Sequence, residues 1–125
     1  MEENVISFEI RGCIFKVYNS LGPGLLESLY EAALAYELQE KGFKVQTQVA
    51  IPVIYHDINL DLGFRADIVV EKKVIIEIKS VENIAEVHHK QVLTYLKLTG
   101  IKLGLLVNFN TEDISHSIYR KVNGL

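Results

Sequence analysis

The sequence predicts an α/β domain, a mixed four-stranded sheet flanked by helices in the order α-α-β-β-β-α-β. Three observations lead there. Apolar residues recur at helical spacing over two N-terminal stretches, parted by the break Leu21-Gly22-Pro23-Gly24. The period then falls to two across a region rich in Val and Ile and cut by short turns. A third helical stretch follows, and after it a mostly apolar run that reads as a central strand buried on both faces.

The first helix is expected over residues 4–19, with Val5, Phe8, Cys13, Ile14, Val17 and Tyr18 apolar. The second runs over about 25–41, with a stripe of Leu26, Leu29, Tyr30, Ala33, Leu34 and Leu38. It closes at Lys41-Gly42, a cation in the last turn and a glycine beyond it. Residues 43–55 read as a strand interrupted at Pro52, and His56-Asp57-Ile58-Asn59 as a turn. Residues 60–71 and 73–80 are two further strands joined through Glu71-Lys72-Lys73. Strands joined so tightly are antiparallel neighbours. A helix over 84–99, carrying Val87, Val92, Leu93 and Leu96 and closed by Gly100, makes a right-handed crossover to a parallel strand over 101–109. The tail, 112–123, reads as a short helix.

Length and composition set limits on function. The 125 residues suit one domain, expected over 1–125, and 49% hydrophobic with 23% charged residues is an ordinary globular balance. Lys and Arg number 13 against 16 Asp and Glu, a net charge of -3, which excludes a strongly basic nucleic-acid-coating protein. The lone Cys13 excludes an internal disulfide and reads as a core residue. The opening MEENVISFEI lacks a basic start and a long apolar stretch, and no apolar run reaches the ~18 residues that span a bilayer. A soluble cytoplasmic protein without a membrane partner is therefore expected.

The chemistry concentrates in GFRADIVVEKKVIIEIKS, residues 63–80. Side chains on a strand alternate faces, so Glu77 and Lys79 share one face while Val74, Ile76 and Ile78 share the other. A three-residue turn at 71–73 sets Val70 opposite Val74 and, in the same register, Asp67 opposite Glu77. An aspartate, a glutamate and a lysine thus meet on one patch among Ile and Val, where charge is costly unless paired or metal-bound. One reading is an ion pair of Lys79 with Asp67 or Glu77. The other is a divalent cation, Mg²⁺ or Mn²⁺, which relieves the repulsion between two facing carboxylates and takes hard oxygen ligands.

Asp67 followed by Glu77-Ile78-Lys79 resembles the D…(D/E)-x-K signature of the PD-(D/E)xK nuclease superfamily. The α-β-β-β-α-β order is similar to that superfamily's restriction-endonuclease-like core, with one extra helix in front. Ala66 stands where its usual proline would. Gly24-Leu25-Leu26-Glu27-Ser28-Leu29-Tyr30 resembles the hallmark of the GxxExxY family within that clan, and the likeness extends from the first helix to about Asn110. Gln91-Val92-Leu93-Thr94-Tyr95 is similar to the Q-x-x-x-Y helix of its exonuclease-type members, and Leu103–Phe109 to its last core strand.

The resemblance implies a metal-dependent nuclease that hydrolyses phosphodiester bonds in DNA or RNA. Asp67, Glu77 and the Ile78 carbonyl would hold Mg²⁺ or Mn²⁺, with Glu27 completing the site directly or through water. Lys79 would position the attacking water and offset negative charge. Gln91 and Tyr95 would hold Lys79 or the scissile phosphate. Glu27 also suits helix capping, at the third position after a Gly24 cap. His88 lies one turn before Gln91, Arg65 could meet a phosphate or a surface carboxylate, and Tyr30 could bond Glu27, although Tyr30 and Tyr55 both read mainly as packing residues. The partners implied are nucleic acid, bound weakly without metal, and a second copy of the chain in a homodimer.

Two other readings compete. One is a catalytically silent module of the same fold that binds nucleic acid or a protein, suggested by the acidity and by the absence of basic runs longer than two residues. The other is a structural homodimer whose polar patch is an ion-pair cluster. No zinc-ligand spacing, phosphate-cradling glycine loop or nucleophile triad is visible.

Overall fold

A computed structural model describes residues 1–61 and 63–125. Helices α1 (Glu3–Leu21) and α2 (Glu27–Glu40) lead into strands β1 (Val45–Ala50), β2 (Val53–Tyr55), β3 (Ile58–Leu60), β4 (Arg65–Val70) and β5 (Val74–Lys79). Helix α3 (Glu86–Thr99), strand β6 (Leu103–Asn108), a 3-10 turn (Ile114–His116) and strand β7 (Ile118–Val122) complete the chain. The part of the strand expected over 60–71 that falls on Leu62 lies outside the described residues.

The main sheet has the order β1-β4-β5-β6-β7. Strands β5 and β6 run parallel, as the crossover through α3 demands, and the other pairs are antiparallel. The expected register is present: Val70 faces Val74, Val69 faces Ile75 and Ile68 faces Ile76. Glu71 and Lys72 close this hairpin with φ of 53° and 55°. The fifth strand corrects the helix expected in the tail. All six β6 residues are buried, and a buried strand needs a hydrogen-bonding neighbour on each edge. β7 supplies the second one, with Leu103 opposite Val122.

Pro52 splits the expected 43–55 strand, because it has no N–H to give a ladder. Beyond the proline, β2 and β3 pair with each other as a separate hairpin, turned at His56 and Asp57 with positive φ. Helix faces also differ in detail from the sequence reading. On α1 the buried stripe is Ile6, Ile10, Cys13, Ile14 and Val17, a better helical repeat, while Val5 and Phe8 face solvent. On α2, Leu26 and Leu29 are exposed and Tyr30, Leu34, Ala35 and Leu38 are buried. On α3, Val87 is exposed and Tyr95 takes its place in the core.

The two faces of the sheet pack differently. Helices α1 and α2 cover Ile68, Val70, Val74, Ile76, Ile78, Leu105 and Val107. Helix α3 covers Ala66, Val69, Ile75 and Leu106 through Val92, Tyr95 and Leu96. It sits very close, since a Cβ on Gly104 would lie 2.7 Å from Val92 Cγ1. Among the described residues no helix is long and apolar enough to cross a membrane.

Candidate active site at the open end of the central hairpin

The β4–β5 ladder ends at the Ile68–Ile76 pair, and from the next residue on side chains take over its hydrogen bonds. The Asp67 amide donates to Glu77 Oε2 at 2.7 Å, and the Ile78 amide donates to Asp67 Oδ2 at 2.8 Å. Each carboxylate thus sits on the backbone of the opposite strand. The face alternation of β4 breaks at the same point: Ala66 and Val69, three residues apart, both pack on the α3 side. Its neighbour β1 is crimped in step, with Gln48 in the left-handed region at φ 49° between the paired positions Thr47–Ile68 and Val49–Ala66. Gln48 Nε2 donates to Glu31 Oε1 at 2.6 Å and to Asp67 Oδ1 at 3.3 Å.

The electrostatics follow from the burial. Glu77 is only 3% exposed. Burial, and then the charge of Asp67, push its pKa up to about 8, against the pull of the Asp67 amide and of Lys79. Burial also raises Asp67, opposed by the Ile78 amide, Gln48 and Lys79 and reinforced by Glu27. Glu31 is raised by burial, less the effect of Gln48. Lys79 lies within electrostatic reach of both carboxylates, yet among the described residues its ammonium pairs with no carboxylate within 4.0 Å. The simple ion pair of Lys79 with Asp67 or Glu77 is therefore not what forms.

A buried and a half-buried acid, both driven up by desolvation and one of them also by the other's charge, are a fitting donor set for a hard divalent cation. Among the described residues no three Asp, Glu, His or Cys side chains form a ready-made cage. That is compatible with Mg²⁺, which uses one or two carboxylates and fills its octahedron with water and substrate phosphate.

Glu27 is the first residue of α2 after Leu26 at the N-cap, so the expected capping position three residues past Gly24 is not formed. Its Oε2 instead accepts from the Ser80 amide at 2.9 Å, and Ser80 Oγ donates to the Leu25 carbonyl at 2.6 Å. These bonds tie the start of α2 to the end of β5. Tyr30 bonds no carboxylate: its hydroxyl donates to the Gly22 carbonyl and accepts from the Leu25 amide, and its ring stacks on Phe109 at 4.3 Å. Asn108 holds the chain just past Lys79 through the amide and carbonyl of Val81.

On the other side of the sheet, Gln91 Nε2 donates to the Tyr95 hydroxyl at 2.9 Å, as the i, i+4 spacing implies. Burial and the nearby Glu77 charge raise the Tyr95 pKa. Both residues and Lys79 line an open cleft of about 520 Å³. His88 lines it as well and accepts from the Ala85 amide at the start of α3. Arg65 is exposed at the start of β4. The structure thus brings Asp67, Glu77, Ile78 and Lys79 together, with Glu27 at one edge and Gln91 and Tyr95 at the other.

The sequence reading missed Gln48, Glu31 and Ser80. Glu31 was within reach, one helical turn after Glu27 on the same face. Nothing in Val45-Gln46-Thr47-Gln48-Val49 marks Gln48 as left-handed. Comparison with curated proteins and with solved structures finds no match. A scan against protein families matches the PD-(D/E)XK nuclease superfamily over residues 4–121, nearly the whole chain and every element of the site. On that match, with a mixed sheet whose D…E-x-K residues meet at one hairpin end, the chain belongs to the PD-(D/E)XK nuclease superfamily.

Proposed function

We propose that this chain is a metal-dependent phosphodiester hydrolase of DNA or RNA, acting as one domain over residues 1–125 in the cytoplasm. The observation that carries this reading is the exchange of backbone hydrogen bonds for carboxylates at Asp67 and Glu77, beside a lysine with no ion-pair partner among the described residues. PD-(D/E)XK nucleases generally use divalent metals. Asp67, Glu77 and the Ile78 carbonyl would hold Mg²⁺ or Mn²⁺, and Glu27 would complete the set through water. Such a cation, when bound, polarises the phosphate and lowers the pKa of water.

The chain's own residues do the rest. The Ile78 amide and Gln48 aim Asp67, and the Asp67 amide aims Glu77, so neither carboxylate has to be ordered at the moment of use. Lys79 orients the attacking water and offsets the negative charge that develops on the phosphate. The Gln91–Tyr95 pair walls the cleft beside Lys79, limits its rotamers and meets the phosphate backbone. The G-x-x-E-x-x-Y residues support a place in the GxxExxY family: Gly24 turns with φ 88°, Glu27 anchors Ser80, and Tyr30 pins the loop before α2. With a net charge of -3 the chain grips a phosphate backbone weakly, and a second copy in a homodimer adds to that grip.

The test is cleavage of single- and double-stranded DNA and RNA with Mg²⁺ or Mn²⁺. Lys79→Ala is expected to lower the rate by about 10²–10³-fold or more while leaving cation binding in place. A wild-type protein that cuts none of these substrates with either cation contradicts the hydrolase and leaves the non-cleaving binding module.

A further inference from the structure

The cleft beside Lys79 has features that holding a cation does not require. Phe64, just before β4, keeps 37% of its surface exposed and lies 6.0 Å, centroid to centroid, from the Tyr95 ring. Val87, on α3 and 65% exposed at a helix position where the sequence pattern pointed to burial, lines the same cleft. Lys79, Lys90, Gln91 and Tyr95 line it too. Its volume of about 520 Å³ falls within the roughly 300–1,000 Å³ typical of small-ligand sites. A flat aromatic face, an exposed apolar side chain and two ammonium groups in one cleft suit a nucleobase with its phosphates.

The charge of the molecule points the same way. At net -3 counterion release contributes little, so affinity for nucleic acid has to come from contacts that do not depend on backbone charge. Stacking of a base on an aromatic ring is such a contact, and it tolerates any base. A base can enter a walled cleft only when it is out of the duplex stack. We infer that the Phe64–Val87 cleft binds one unpaired nucleobase next to the phosphate held at Lys79, making single-stranded nucleic acid, or a single-stranded end, the substrate class. The inference rests on the hydrolase reading for the identity of that phosphate.

Fluorescence anisotropy tests it without cleavage, with Ca²⁺ replacing Mg²⁺. The probes are a labelled oligothymidine strand, the matching oligouridine strand, and the oligothymidine annealed to its complement. The wild type is expected to bind the single strands at least about tenfold more tightly than the duplex. Phe64→Ala should weaken single-strand binding about 5- to 100-fold, while Phe64→Tyr keeps it. Val87→Glu, at an exposed lining position, should weaken it too and does not depend on core packing. A preference for the thymidine or for the uridine strand separates a DNA from an RNA ligand through sugar and base methyl together, and either supports the cleft. Duplex bound as tightly as single strand, no binding of any probe, or both wall variants binding like wild type would overturn it. Strand discrimination without cleavage in Mg²⁺ would remove the hydrolase and keep the cleft; duplex cleavage unaffected by Phe64→Ala would do the reverse.

Discussion

The two ends of the β4–β5 hairpin use the same strands to opposite effect. At the closed end Val70, Val69 and Ile68 pair with Val74, Ile75 and Ile76, all are buried, and the ladder is regular. At the open end the ladder gives way to Asp67 and Glu77, whose carboxylates accept the amides that the ladder would have used. The closed end is stabilised by apolar burial and needs nothing further. The open end holds two acids with raised pKa values, a standing cost to the fold that a cation would relieve. A strand pair can therefore be a core at one end and a site at the other, with the change made across a single residue step.

The largest way to break this contrast is pH. Glu77 keeps its proton up to about 8 when folded and loses it near 4.5 when unfolded. Between those values the folded state binds more protons, so its stability falls as pH rises, by on the order of 4 kcal/mol for this buried group. Denaturant titrations at pH 5 and pH 8 are expected to show that fall in wild type and to lose most of it in Glu77→Gln. A saturating divalent cation should flatten it, because the cation favours the ionised pair.

At the closed end, Ile76→Ala should cost about 2–5 kcal/mol of stability through the cavity it leaves. That cost should not vary between pH 5 and pH 8, and cation affinity in the variant that remains folded should stay within a few-fold of wild type. A pH-dependent loss would show that the two ends are coupled rather than separate.

The smallest effect belongs to Gln48. A left-handed non-glycine residue costs about 1 kcal/mol or more. Gln48→Gly removes that strain together with the hydrogen bonds to Glu31 and Asp67. Stability should change by less than about 1 kcal/mol, while cation affinity, read by calorimetry, falls several-fold. Unchanged affinity would show that the crimp at Gln48 does not serve Asp67.

How much of this was legible in the sequence differs between the two ends as well. The closed end was open to arithmetic: a three-residue turn and a period of two place Val70 against Val74. The same count expected Asp67 opposite Glu77, but the regular pairing ends at Ile68 and Ile76, and the two residues meet instead through the Asp67 amide and the Glu77 carboxylate. What the count could not contain is how those carboxylates bond, because it assumes a regular ladder, and here the backbone departs from one. Glu27 was recognisable as a site residue from G-x-x-E-x-x-Y, but its bond to the Ser80 amide depends on how α2 docks against the end of β5. The tail was misread because Ser117-Ile118-Tyr119-Arg120-Lys121-Val122 is too short for its period to decide between helix and strand. The open edge of β6 decides it, and that edge exists only once the sheet has formed.

The most direct measurement is calorimetric titration of Mn²⁺ at pH 7 into wild type and Asp67→Asn, in two buffers of different ionisation enthalpy. One saturable site is expected in wild type, with a buffer-dependent heat that reports release of the proton held on Glu77, and no saturable heat in Asp67→Asn. Saturable binding that survives unchanged in Asp67→Asn, or no binding in wild type, would contradict the open end of the hairpin as a cation site.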